Sequence, residues 1–162
     1  MSEKEKVYEA LDKMGIKYDV VDHPPALTTE EADLYIEGKE GVRSKTMFMT
    51  NKKKKNFYLF ILDESKRLDM KKLGEIIGEK MLKFAHEEHV EEKLGLKFGV
   101  VSPFGLLNNK EKDVKVYVDR EIIKDKIITF HPNENIATLF ISFDDLFKFF
   151  ENIGINYEII DM

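Results

Sequence analysis

Two apolar runs rich in β-forming residues, Ser44–Thr50 (SKTMFMT) and Phe57–Asp63 (FYLFILD), flank the polar stretch NKKKKN. That spacing predicts a hairpin. A second pair, Lys126–Phe130 and Ile136–Ile141, brackets a short segment that begins His131-Pro132. Further β-type runs stand alone at Ile16–Val21, Val114–Val118 and Tyr157–Ile160. Helical signals fall irregularly among them. Val7, Leu11 and Met14 recur at helical spacing until Gly15 stops the run. Thr28-Thr29-Glu30-Glu31 reads as a capping box for a short helix to about 34–37. Asp69 caps a helix to about Ile77, with Gly78 as its stop, and a second short helix covers about His86–Leu94. Ser142 with Asp145 caps Phe143–Ile153, whose Leu146, Phe147, Phe149 and Phe150 form one apolar face. Strand pairs joined by short turns, without regular strand–helix–strand alternation, predict an α+β fold. The expected sheet is mixed, mostly antiparallel or a partial barrel, flanked by helices.

The chain length, 162 residues, predicts one domain spanning 1–162 with a substantial core. Cysteine is absent, which excludes disulfides, thiolate nucleophiles and cysteine-based metal sites. The charged, amphipathic start MSEKEKVYEALDKMG is not a signal peptide, and no apolar run approaches the ~20 residues of a membrane span. The expectation is a cytoplasmic protein without membrane contact. A net charge of −5 argues against global steering to nucleic acid. Lys52–Lys55 is the local exception, either a solvated hairpin tip or a patch for one end of an RNA.

Candidate site residues gather in three places. Gly95–Asn109 (GLKFGVVSPFGLLNN) packs Gly, Ser, Pro and Asn with few charges, as a shaped pocket wall does. Phe130–Ala137 places the imidazole of His131 ahead of the amide of Asn135. Lys45 enters an apolar strand, where its ammonium either snorkels outward or faces a polar cavity; strand alternation puts Arg43 on the same face. His131 is equally open to a structural role. His23 precedes Pro24 in a turn, and His86 with His89 has i, i+3 spacing but no third ligand, so no metal is expected. Ser102 is a poor nucleophile candidate because Pro103 offers no backbone N–H to an oxyanion hole. Glycine signatures for nucleotide phosphates are missing.

Taken together, HPPALTTEEAD (23–33), SKTMFMTNKKKKNFYLFIL (44–62), LDMKKLGEIIG (68–78), GLKFGVVSPFGLLNN (95–109) and FHPNENIATLFISFDDLFKFF (130–150) make the chain resemble the YbaK/ProX family. These are free-standing aminoacyl-tRNA deacylases related to the editing domain of bacterial prolyl-tRNA synthetase. The pattern is nearest to ProX-type members, for which the resemblance implies hydrolysis of alanine mischarged onto proline tRNA; other branches take Cys, Ser or Thr. The family lysine matches Lys45. The family HP…N segment matches His131, Pro132 and Asn135, and its glycine loop matches Gly95, Gly99, Val101, Ser102 and Pro103. Thr46 stands where some relatives carry Asn.

The resemblance implies a substrate ester on the 3′-terminal ribose of tRNA, with no cofactor. Ester hydrolysis needs a positioned water and a stabilised oxyanion. Lys45 is expected to hold terminal phosphate or ribose oxygens. The Gly95–Ser102 loop and His131 are expected to orient acyl group and water, and the free ribose hydroxyl to assist proton transfer. Leu27, Thr28, Phe48 and Phe104 are the expected walls of a pocket that admits alanine and rejects proline. Expected partners are the acceptor end of tRNA and prolyl-tRNA synthetase. Two rivals stand beside this reading: a non-catalytic aminoacyl-tRNA binding module, and an enzyme for small free esters or amides.

Overall fold

The computed structural model describes residues 1–97 and 99–162. Phe98, within the glycine-rich segment, lies outside the described residues. The elements are α1 (Glu3–Lys13), β1 (Tyr18–Asp22), α2 (Thr29–Tyr35), β2 (Val42–Asn51), β3 (Phe57–Asp63), α3 (Met70–Ile77), β4 (Leu82–Phe84), α4 (Glu87–Leu94), β5 (Val114–Asp119), β6 (Ile127–Phe130), β7 (Ala137–Ser142), α5 (Phe143–Ile153) and β8 (Tyr157–Ile160). Two 3-10 helices, Pro103–Asn108 and Arg120–Asp125, flank β5.

Local chemistry starts the helices where it was expected. Thr28 accepts a hydrogen bond from the N–H of Glu31, and the Glu31 carboxylate reaches back to the N–H of Leu27. Asp69 accepts from Lys71 and Lys72, and Ser142 accepts from Asp145. Such caps contribute about 1 kcal/mol each.

The strands form one sheet in the order β1-β7-β6-β2-β3-β5-β8, with β4 paired to β2 off that path. β1–β7, β2–β3, β2–β4 and β6–β7 are antiparallel; β2–β6, β3–β5 and β5–β8 are parallel. The antiparallel majority is therefore narrow. Both hairpins form as the turn spacing requires, but the parallel pairs come from long excursions through helices. α5 lays Phe143, Leu146, Phe149 and Phe150 into the larger core with Leu59, Val116 and Leu139. Each such fully buried side chain contributes roughly 1.5–3 kcal/mol. Phe147 is only partly buried and stacks on Tyr157, ring centroids 5.1 Å apart. On the opposite face, Met49, Phe60, Leu62 and Tyr117 build a second core with Leu73 of α3.

The sheet has a break beside β2. β6 pairs with β2 only at Val42 and Arg43, and β4 pairs with it only at Met49–Asn51. Between these points β2 has β3 on one side and no strand on the other.

Candidate active site

The unpaired stretch of β2 opens onto a cavity of about 400 Å³. The carbonyl of Arg43 accepts from Glu64 on the β3 side, and the carbonyl of Phe48 accepts from Ala85 on the other side. Antiparallel strands alternate in this way. The alternation turns the backbone N–H and C=O of Thr46 away from β3, into the break. The cavity floor is thus a strand edge with a free donor and acceptor.

Lys45 and His131 border this cavity from β2 and from the end of β6. By alternation the Lys45 side chain lies on the Met47 and Leu62 face, and its Nζ donates to the carbonyl of Lys66. An ammonium has three N–H donors, so two remain. Lys66 is itself held by Asp119 at 2.8 Å and Glu121 at 3.0 Å, which fixes the carbonyl that Lys45 uses. Arg43 has a different task from binding ligands: its guanidinium donates to the carbonyls of Gly41, Ile36 and Lys39 and so anchors the end of α2.

His131 places Nδ1 2.8 Å from the carbonyl of Ala137. A carbonyl only accepts, so Nδ1 carries a proton and donates it, which leaves Nε2 as the ring atom turned to other partners. Nε2 makes no hydrogen bond among the described residues. His23, read from sequence only as a turn residue, supports this ring. It is buried, pairs through Nδ1 with Pro24 O and through Nε2 with Thr138 Oγ1, stacks on Tyr35, and meets His131 edge-on at 6.1 Å. Asn135 donates from Nδ2 to Ala26 O, while its own carbonyl accepts from Ala26 N–H. This pair clamps the segment leading to Leu27 and Thr28.

Of the residues expected from sequence, Leu27, Thr28, Thr46, Phe48, Gly99, Val101 and Asn135 line the cavity with Lys45 and His131. Leu27 does so from the mouth, 85% exposed. Gly95, Ser102, Pro103 and Phe104 do not line it, and their roles are corrected accordingly. Gly95 ends α4 at φ +64°, where a Cβ would meet Asn108 at 2.7–3.1 Å. Ser102 is fully buried and accepts from the N–H of Phe104 at the start of the 3-10 helix that Pro103 opens. Phe104 packs edge-on against Phe130 and Phe149 in the core. They support the wall that Gly99 and Val101 present.

A pair of carboxyls, Asp33 and Glu64, also lines the cavity. Burial pushes the Glu64 carboxyl up to about 8; its hydrogen bond with Asp33 and the charges of Asp33 and Asp63 add to this, and Arg43 opposes it. The pair thus favours the protonated form of Glu64 beside Asp33. No spacing rule links these residues, which meet only because α2 folds over the end of β3. Among the described residues, no three His, Cys, Asp or Glu side chains converge as metal ligands, and no helix is long and apolar enough to cross a membrane.

The family model for the aminoacyl-tRNA editing domain matches residues 23–149. The chain is 33% identical, over 100% of its length and 99% of the relative's, to the prolyl-tRNA editing protein ProX of Acetoanaerobium sticklandii. It is 31% identical, over 90% of its length and 88% of the relative's, to prolyl-tRNA synthetase associated domain-containing protein 1 of Mus musculus. A solved structure described as a candidate trans-editing enzyme for prolyl tRNA synthetase superposes with a TM-score of 0.78 at 23% identity, covering 99% of this chain and 96% of that one.

Proposed function

The chain belongs to the aminoacyl-tRNA editing family, and we propose that it is a trans-editing deacylase whose substrate is alanine esterified to proline tRNA. The observation that carries this reading is the cavity at the break in β2, where the backbone edge of Thr46 stands together with Lys45 and with His131, whose Nε2 makes no hydrogen bond among the described residues. Its volume of about 400 Å³ exceeds what an alanyl group needs and suits an aminoacyl group joined to its terminal nucleoside.

In this mechanism the terminal phosphate or ribose oxygens meet the two remaining N–H donors of Lys45. The ester carbonyl lies against the β2 edge, where the N–H of Thr46 stabilises the developing oxyanion. His131 Nε2 accepts a proton from the attacking water, directly or through the free ribose hydroxyl of the substrate, and returns it to the 3′ oxygen as the acyl–oxygen bond breaks, releasing alanine and free tRNA. The α-ammonium of the amino acid faces the Asp33–Glu64 pair. Ala32, Ile36, Phe48 and Val101 bound the acyl side, and discrimination against proline is by overlap of its ring. A methylene is worth only about 1–3 kcal/mol in such a pocket, so rigid walls must supply the rejection. The names of the relatives support prolyl-tRNA synthetase as the enzyme whose errors are corrected, and the whole chain acts as one editing domain.

Multiple-turnover release of alanine from Ala-tRNA(Pro) tests this reading, with Lys45→Ala as the comparison. The wild type is expected to turn over repeatedly and the variant to lose nearly all of that activity. Stoichiometric binding without release would make the protein a binding module, and full activity in the variant would remove Lys45 from the mechanism.

A further inference from the structure

The Lys52–Lys55 turn takes no part in the cavity, yet it is built on the same strand. β2 runs from Lys45 at the cavity to Asn51 at the foot of the turn. Six residues at ~3.3 Å each make that distance about 20 Å. The turn is ordered by its own hydrogen bonds. Asn51 Oδ1 accepts from the N–H of Lys55 at 2.9 Å and Asn56 at 3.3 Å, its carbonyl accepts from Lys54, and Thr50 Oγ1 donates to Asn56 O. Lys54 adopts φ +56°, the left-handed conformation that closes the turn. All four lysines are exposed, and none forms an ion pair among the described residues, whereas Lys66, Lys93 and Lys115 each do. Four adjacent, unneutralised cations are thus displayed on a structured turn of a protein whose net charge is −5.

The surroundings of the turn are of mixed charge: Glu79 accepts from Asn56 Nδ2 at 3.1 Å, and further lysines stand nearby. β4 sets Leu82 beside Asn51 and Lys83 beside Thr50, and Lys80 just precedes the strand. Lys54 also borders a shallow depression with His86, Glu87, Glu88 and Glu91 of the α4 start, which follows directly on β4. These carboxylates disfavour a polyanion over that depression and leave the turn itself, with Lys80 and Lys83, as the positive surface. Between the lysines and the cavity, Phe84 lies opposite Met49, lines the cavity and is 59% exposed. An exposed aromatic ring at such a place is a stacking platform for an unpaired base.

We propose that the Lys52–Lys55 turn, with Lys80 and Lys83, binds the acceptor-stem phosphates of the tRNA whose 3′ end enters the cavity. This rests on the deacylase reading and adds the path by which the RNA reaches the site. About 20 Å corresponds to about six phosphate steps of stacked strand at 3.4 Å each, so the turn meets the stem and not the terminal nucleotides. Long-range recognition is thereby separated from chemistry.

The test replaces all four turn lysines by glutamine and measures kcat/KM on two substrates, Ala-tRNA(Pro) and a CCA trinucleotide carrying the same alanyl ester. Salt is varied between about 50 and 200 mM. On tRNA, kcat/KM is expected to fall at least tenfold at the lower salt. The log–log salt slope should flatten by about 0.7–0.9 for each phosphate that the variant no longer neutralises. The trinucleotide, too short to reach the turn, should be hydrolysed as by wild type. Unchanged tRNA kinetics and slope would overturn the proposal and leave the turn to solvent or to a protein partner. An equal loss on both substrates would overturn it too, since the turn would then act through the fold. Lys80→Gln with Lys83→Gln, from a separate element, gives a second reading of the same slope. If wild type releases no alanine from either substrate, it is the deacylase reading that fails.

Discussion

Replacing His131 by asparagine separates its two ring nitrogens. Nδ1 donates to Ala137 O inside the fold, while Nε2 is the atom left for substrate or water. The asparagine amide nitrogen sits near the position of Nδ1 and can keep the bond to Ala137; nothing in the shorter side chain replaces Nε2. Alanine removes both. A typical hydrogen bond contributes about 1 kcal/mol net, which for a chain of this size lowers Tm by roughly 2–4 °C. Loss of a positioned acid–base group lowers the rate by about 10²–10⁴-fold, or about 3–5 kcal/mol of barrier. His131→Asn should therefore melt close to wild type and hydrolyse Ala-tRNA(Pro) at least about a hundredfold more slowly. His131→Ala should show that rate loss together with the lower Tm. Single-turnover hydrolysis and thermal melts on the same preparations decide it. An asparagine variant with wild-type rates would refute the role given to Nε2 and leave His131 as a structural residue.

Partial burial, with Asp33 beside it, pushes the carboxyl of half-buried Glu64 upward. From the ordinary 4.5 up to about 8 the folded chain holds a proton there that the unfolded chain has released. Stability should therefore fall as pH rises through that window. Glu64→Gln should flatten this trend in melts between about pH 5 and pH 9; an unaltered slope would mean another group is responsible. Ser102→Ala removes the acceptor for Phe104 N–H and should cost about 0.5–2 kcal/mol of stability while the folded variant keeps its deacylation rate. Loss of the chemical step in a folded Ser102 variant would revive the serine as a participant.

The parts of the fold that were legible from sequence are those set by neighbours in the chain. Thr28 with Glu31, Asp69 and Ser142 with Asp145 satisfy N–H groups two to three residues away, so their helices begin where the residue types say. The NKKKKN turn likewise fixes the β2–β3 register. β4 was not read, since Leu82–Phe84 is too short to show a period, and its pairing to β2 is non-local. The Gly95–Asn109 stretch misled in part, because glycine, serine and proline serve helix ends and turns as readily as pocket walls. Gly95 and Ser102 do the former, and only Gly99 and Val101 reach the cavity. Family resemblance singles out Lys45, His131 and Asn135, all of which line the cavity; alternation and spacing alone leave them open. Nothing in the sequence pointed to the free edge of Thr46 or to the Asp33–Glu64 pair, which depend on where β6 and β4 leave β2 and on how α2 packs.

Proline tRNA charged with alanine and the same tRNA charged with proline, given to the wild-type protein under single-turnover conditions, test the account most directly. Rapid release of alanine with proline left in place is the outcome that a small-acyl pocket at the break in β2 requires. Equal release of both amino acids, or release of neither, would contradict it.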